Sequence, residues 1–233
     1  MEVRRVFVVF LVAISTISAH AQSKDADVEQ KLSRSTRLNR PADRKLMPKI
    51  ALRIYDFDQV APTAIAGAKD VVSEVFRESG LQVLWVDCPS ENRCAANVQG
   101  PEFRLRIVPA SLGKEMVSDE ALGFAVPCAP GEPACLFYIF YWRINALAGA
   151  NHFVAGRILG HVLAHEIGHT LLGPNAHIRF GLMQHNLPLA ETERTLYFTS
   201  GQAKQLRANL LARDAALRNT VLSNAQAESV APH

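Results

Sequence analysis

The sequence has little charge, few aromatic residues and no concentrated basic surface. Charged residues make up 20% of its 233 residues, aromatic residues make up 7%, and the formal net charge is +3. Outside the short region from Arg34 to Lys49, basic residues are not clustered and do not alternate with aromatic residues, as they do in many nucleic-acid-binding proteins. We therefore expect no nucleic-acid partner.

Long apolar runs are also missing, apart from one at the N-terminus. This run, Val6 to Ala19, follows Arg4 and Arg5 and ends in the small-x-small sequence Ala19-His20-Ala21. It is short for a membrane span but typical of a secretory signal peptide. We predict that residues 1–21 are removed near Ala21, that the protein is secreted or periplasmic, and that no stable membrane span remains.

Cysteine is scarce, and its spacing argues against a cysteine metal site. The four cysteines form two local pairs, Cys88 with Cys94 and Cys128 with Cys135, and neither pair has the two-residue spacing of a zinc knuckle. Three disulfide pairings are possible. We favour the two local bridges, which close short turn-rich segments and agree with an oxidising compartment.

The chain does contain a pattern typical of a metal site, His165-Glu166-Ile167-Gly168-His169. It lies in the stretch from Val154 to Leu172, where apolar residues recur every three or four positions and predict a helix. Histidines four positions apart leave the same face of a helix, so both imidazoles can reach one ion. Glu166 is poorly placed to bind that ion, but it can accept a proton from a water molecule there.

A third ligand is expected after the helix ends. Gly173-Pro174 is a strong signal for a helix C-terminus, and the turn there can bring His177 back towards the helical histidines. Three protein ligands leave one tetrahedral position for water, as in catalytic zinc sites. Glu191 and Glu193 are alternative third ligands, which we rank below His177 because Pro188 favours a loop there.

These residues resemble the active site of the metzincins, zinc peptidases with the pattern His-Glu-x-x-His-x-x-Gly-x-x-His and a methionine turn downstream. The resemblance implies Zn²⁺ as cofactor, a peptide or protein as substrate, and Glu166 as general base. It also implies that Met183, in Gly181-Leu182-Met183, forms a hydrophobic floor beneath the metal. The implied zinc ligands are His165, His169 and His177. Gly173 comes one residue later, and His177 two residues later, than in the family pattern.

Three further side chains near the motif have open roles. His161 shares the helix face with His165, but a ladder of three histidines spans about 12 Å, too long for one ion, so we expect His161 to be packed or to support a ligand. His185 either lines the cleft or is merely exposed. In some metzincins a tyrosine after the methionine turn donates to the oxyanion, which makes Tyr197 a candidate for that role.

The strand and helix patterns predict an α/β (α+β) fold. A strand at Ile50 to Phe57, a helix from Pro62 to Gly80 and a strand at Leu81 to Val86 form a crossover unit with parallel pairing. Further strands are predicted at Phe103 to Ile107, at Gly123 to Val126 as a short edge, and at Leu136 to Trp142 as a buried strand. By resemblance, the mixed twisted sheet has a backing helix and a central active-site helix, as in zincins, and a substrate strand pairs with the Gly123 to Val126 edge.

A last helix is predicted to form a small C-terminal subdomain. Thr199 and Gln202 fit a capping box at its start. Its basic residues, Lys204, Arg207 and Arg213, are expected on a solvated face. The predicted organisation is a signal peptide at 1–21, a flexible arm at 22–47, a metallopeptidase-like domain at 48–217 and a disordered tail at 218–233.

Two functional hypotheses follow. The first is a secreted zinc metallopeptidase that hydrolyses peptide bonds through water activated at the metal, with Glu166 taking the proton and passing it to the leaving amine. The second is a secreted zinc-binding or protein-interaction module that keeps the site without turnover. The sequence carries no signature of an oligomeric state.

Overall fold

A computed structural model describes residues 47–90, 94, 100–113, 121–126, 128, 129, 132, 134–187 and 194–230, with side chains up to residue 223. The predicted signal peptide, the arm up to residue 46 and the alternative ligands Glu191 and Glu193 lie outside the described residues. Within the described part, no helix combines the length and apolar character that a membrane span requires.

The centre of the fold is a mixed five-stranded sheet, which confirms the predicted fold class. Its spatial order is β2-β1-β3-β5-β4, and every neighbouring pair is parallel except the edge strand β4, which runs antiparallel to β5. The strands are β1 (Lys49–Asp56), β2 (Gln82–Cys88), β3 (Glu102–Ile107), β4 (Gly123–Ala125) and β5 (Ala134–Ile139).

Two long helices pack together beside the sheet, and a third long helix follows the site. The described helices are α1 (Pro62–Glu78), α2 (Ala110–Gly113), α3 (Tyr141–Leu147), α4 (His152–Leu172) and α5 (Ser200–Val230). Helix α1 connects the parallel strands β1 and β2, as predicted, and packs extensively against α4. Pro62 suits its first turn, where a backbone N–H has no helical partner, and Gly80 follows its end with φ of 76°.

The last predicted strand is wrong at its C-terminal end. Strand β5 ends at Ile139, and Tyr141 and Trp142 belong to helix α3. The backbone N–H of Phe140 still bonds to the Leu122 carbonyl, but the N–H of Arg143 then turns back to the carbonyl of Phe140. The apolar run continues through this change, because strand and helix are both buried here, so the sequence pattern did not reveal it.

Helix α5 begins as predicted but differs further along. The N–H of Gln202 bonds to the Thr199 hydroxyl and the N–H of Thr199 bonds to the Gln202 side chain, which is the predicted capping box. Arg213 is only 7% exposed, so its predicted solvated position is wrong; its guanidinium is held by the carbonyls of Ala129 and Glu132. The helix also continues to Val230, past the predicted start of a tail at Arg218, whose side chain pairs with Asp214 one turn earlier.

Both local disulfides are present, Cys88 with Cys94 and Cys128 with Cys135. The first joins the end of β2 to the segment after it. The second joins β5 to the connection that leads from β4. Each therefore ties a loop to a strand of the sheet, as the predicted local pairing requires.

Close contact between α1 and α4 depends on glycine. A Cβ on Gly156 would lie 2.7 Å from the Ala64 carbonyl oxygen, and one on Gly160 would lie 2.6 Å from the Val71 Cβ. Real side chains do not approach so closely, so these glycines let the two helix backbones meet. Gly67 differs, because a Cβ there would lie 3.6 Å from the nearest atom, the Cα of Gly156, which is ordinary contact.

We expect Gly156→Ala to destabilise the protein and Gly67→Ala to leave it unchanged or slightly more stable. The first change pushes α1 away from α4, at a cost of about 1–3 kcal/mol. The second gains helix propensity, worth up to about 1 kcal/mol, without a clash. Urea unfolding of both variants measures the difference. Equal stability of the two variants would contradict the close-contact argument.

Candidate metal centre

Helix α4 carries the motif through the interior of the protein. Its first turn is capped by Asn151, whose side chain accepts from the backbone N–H groups of Phe153 and Val154, a signal that the sequence analysis missed. Beyond that turn the helix is buried on nearly every side. His165, Glu166 and His169 are each only 4–5% exposed, so the three polar side chains of the motif are held in a low-dielectric environment.

The structure brings the three predicted histidines together. The Nε2 atom of His169 lies 3.0 Å from the Nε2 atoms of both His165 and His177, and the remaining pair, His165 and His177, is 3.3 Å apart. Nitrogen ligands about 2.0–2.1 Å from a tetrahedral zinc ion lie roughly 3.3 Å from one another. In the described part of the chain, this is the one group of three or more His, Cys, Asp or Glu side chains arranged closely enough to hold a metal ion.

Hydrogen bonds to backbone carbonyls orient two of the rings. Nδ1 of His165 donates to the Leu182 carbonyl at 2.8 Å, and Nδ1 of His169 donates to the Gly173 carbonyl at 3.4 Å. A carbonyl can only accept, so each Nδ1 carries the proton and each Nε2 presents a lone pair. Two lone pairs that face each other at 3.0 Å repel unless a cation lies between them. The donor set therefore fits a divalent metal.

Burial keeps the histidines in the neutral form that a metal requires. Burial, with a smaller contribution from the neighbouring histidines, lowers the pKa of His165 to about 3 and that of His169 to about 4. The pKa of His177 is also lowered, by burial and by His185. A charged ring would lose hydration that the interior does not replace.

Glu166 lies beside the histidines with an unused oxygen. Burial raises the pKa of Glu166 to about 8, and a hydrogen bond from the backbone N–H of Ala125, at the edge of the sheet, opposes this shift. Its Oε2 atom is buried and has no hydrogen-bond partner among the described residues. A cleft opens next to this carboxylate. It is lined by Leu122, Gly123, Val162, His165, Glu166, His185 and Leu187.

Met183 packs against α4 at Gly168, the residue before His169. It is fully buried, and its carbonyl accepts from the backbone N–H of Ile178 at 2.8 Å, which closes the turn after His177. Gly168 makes room for it, since a Cβ there would lie 2.5 Å from the Met183 sulfur and 2.9 Å from a ring carbon of Phe198.

The structure gives a different role to each of the other three candidate side chains, His161, His185 and Tyr197. His185 lines the cleft, with its ring centroid 4.9 Å from that of His177. His161 is packed: its Nδ1 donates to the Arg157 carbonyl and its Nε2 accepts from the N–H of Leu196. The implied oxyanion role of Tyr197 is wrong for this structure, because its hydroxyl donates to Glu74 of α1.

Comparison with known proteins adds little to this geometry. No protein-family model matches the chain, and no curated protein matches it. Among solved structures, the crystal structure of archaemetzincin from Methanopyrus kandleri is similar to this chain. The match has a TM-score of 0.39 and 18% sequence identity, and it covers 72% of this chain and 97% of that one.

The geometry predicts that His177→Ala lowers zinc affinity sharply and that His185→Ala does not. His177 places a nitrogen in the cluster, whereas His185 lines the cleft and contacts the His177 ring without joining the cluster. We expect the first loss to exceed the roughly 10- to 100-fold that removal of a supporting group costs. Competition with a chromogenic chelator measures both variants. Unchanged zinc affinity in His177→Ala would contradict the assignment of His177 and favour Glu191 or Glu193 as the third ligand.

Because the His161 ring is buried, we expect the stability of the protein to depend on pH. Burial lowers the pKa of His161 to about 4, although the hydrogen bond to the Arg157 carbonyl and the charge of Glu74 act in the other direction. An unfolded histidine titrates near 6.5. As pH falls from 6.5 towards 4, the unfolded chain takes up a proton that the folded chain does not, so stability decreases in this window.

His161→Gln, which keeps an acceptor for the Leu196 N–H, should therefore lose less stability between pH 7 and pH 5 than the wild type, by about 2 kcal/mol. Urea unfolding of both proteins at the two pH values, with chelator present, gives the comparison. Parallel pH profiles would refute the assignment of a neutral, buried His161.

Proposed function

We propose that this chain is a secreted zinc metallopeptidase, in which His165, His169 and His177 hold the ion and Glu166 is the general base. The observation that carries the proposal is the convergence of three imidazole nitrogens beside a buried carboxylate oxygen that has no partner among the described residues. The two disulfides agree with an extracytoplasmic destination, where such bonds persist.

The chemistry divides between the ion and the protein. A zinc ion held by His165, His169 and His177 would supply Lewis-acid chemistry: it would lower the pKa of water and polarise a peptide carbonyl. Glu166 takes a proton from the attacking water at Oε2 and delivers it to the leaving amine, so that one carboxylate serves both steps. A base must be ionised, and a nearby divalent cation favours the carboxylate against the effect of burial.

The edge strand β4 supports a peptide as substrate. Val126 donates to β5 and Leu122 accepts from it, so the backbone polar groups of the intervening odd-numbered residues face away from the sheet. One of these, the N–H of Ala125, already serves Glu166. An extended peptide that adds to this edge is therefore expected to use the backbone of Gly123, which also lines the cleft.

The rival function, a zinc-binding module without turnover, shares the metal centre but makes no use of Glu166. The two functions therefore differ in one measurable property, cleavage that depends on the Glu166 carboxylate.

Glu166→Gln should keep one zinc per chain and lose cleavage of a mixed peptide library by at least about a hundredfold, the lower end of a general base's contribution. Glu78→Gln is the matched control, because Glu78 lies at the end of α1 and pairs with Arg77. That variant should cleave like the wild type. Metal analysis and mass spectrometry of the digests provide the readouts. Equal residual cleavage in wild type and Glu166→Gln would favour the non-catalytic module.

A further inference from the structure

Arg213 is a buried cation that the proposed reaction does not use. Its guanidinium donates to the Ala129 carbonyl at 3.0 Å and to the Glu132 carbonyl at 2.7 Å, and its Nη2 lies 2.9 Å from the sulfur of Cys128. All three partners lie in the connection between β4 and β5. One side chain of α5 therefore holds the hairpin that carries the edge strand.

The same helix also holds two segments that flank the metal-site residues in sequence. Near its start, Gln202 donates to the carbonyl of Ala176, the residue before His177, at 3.2 Å. One turn before Arg213, Asn209 donates to the carbonyl of Leu171, at the end of α4, at 2.6 Å. Helix α5 thus connects three parts of the site: the loop of the third histidine, the end of the active-site helix and the hairpin.

Movement of the β4–β5 hairpin would change the shape of the cleft and the position of the Glu166 carboxylate. Strand β4 contributes Gly123 to the lining, and its Ala125 N–H bonds to the Glu166 carboxylate. In the described part of the chain, the strand has three residues and one neighbour in the sheet, β5. Its position therefore depends also on contacts beyond the backbone ladder. These include its packing against α4, the apolar cluster around Phe124, the Cys128–Cys135 disulfide and Arg213.

We propose that Arg213 is a positioning residue, which holds the edge strand β4 at the width from α4 that a bound peptide requires. The expected effect on peptide cleavage rests on the proposed function. The expected effect on the position of the edge strand does not. The hydrogen bonds of Arg213 go to Cys128, Ala129 and Glu132, which are not part of the metal cluster. Its loss should therefore weaken peptide binding while the histidines still bind zinc.

The test compares Arg213→Met with Arg207→Met. Methionine keeps much of the apolar stem of arginine and removes every donor. Arg207 lies on the same helix and donates to the Ser79 carbonyl, at the end of α1, so its loss leaves the hairpin contacts intact. Arg213→Lys keeps the charge and part of the hydrogen bonding, so it should partly restore the wild-type KM and exchange rate. It also provides a second variant to measure if Arg213→Met fails to fold.

Three readouts are expected to agree. In Arg213→Met, zinc affinity stays within about twofold of wild type. KM for a cleaved peptide rises by roughly tenfold, because the three contacts that hold the β4–β5 connection are lost and the edge strand no longer keeps its position, and kcat changes less. Amide hydrogen exchange at residues 123–126 becomes faster in this variant and stays at the wild-type rate in Arg207→Met. Unchanged exchange and KM in Arg213→Met would overturn the proposal.

The exchange measurement separates this inference from the proposed function. If the wild-type protein cleaves no peptide, the proposed function fails, and the rate of exchange at residues 123–126 still decides whether Arg213 holds the edge strand. If the wild type cleaves and exchange is unaffected, the positioning role alone is refuted.

Discussion

The hydrogen bond from Nδ1 of His165 to the carbonyl of Leu182 is the contact on which the metal centre depends. It determines the tautomer of the ring, and hence which nitrogen faces the other two histidines. It also joins α4 to the turn that contains Met183, because Leu182 lies next to Met183. Loss of this contact would free the ring to rotate and would leave a buried carbonyl without a partner, at a cost of about 1–3 kcal/mol.

The Leu182 carbonyl is itself held in place by close backbone packing. The N–H of Leu182 donates to the carbonyl of Tyr197, and Gly181, with φ of 83°, lies so close to that carbonyl that a Cβ would be 2.7 Å from its oxygen. The Tyr197 hydroxyl anchors the same segment to Glu74 of α1. The orientation of one imidazole is thereby linked to α1, which packs against α4.

Patterns within one segment predicted much of this arrangement. The period of α4, its end at Gly173, the crossover from β1 to β2, the cap of α5 and the local disulfides are all properties of neighbouring residues. Features that depend on distant partners were missed. Arg213 looked solvent-exposed because its acceptors lie more than 80 positions earlier in the chain, and the roles of Gly156 and Tyr197 depend on the position of α1.

The loop that carries the third histidine has a distant contact of its own, from Gln202 of α5. Helix α4 ends with the Gly173 N–H on the His169 carbonyl, and the loop to His177 is two residues longer than in the metzincin pattern. Gln202 donates to the Ala176 carbonyl in that loop, while its other side-chain atom caps α5. The extra length is thus held by α5, and His177 Nε2 reaches 3.0 Å from His169 Nε2. Motif spacing reports the usual path of a loop, and a loop with an added anchor can bring its ligand to the same place from a greater length.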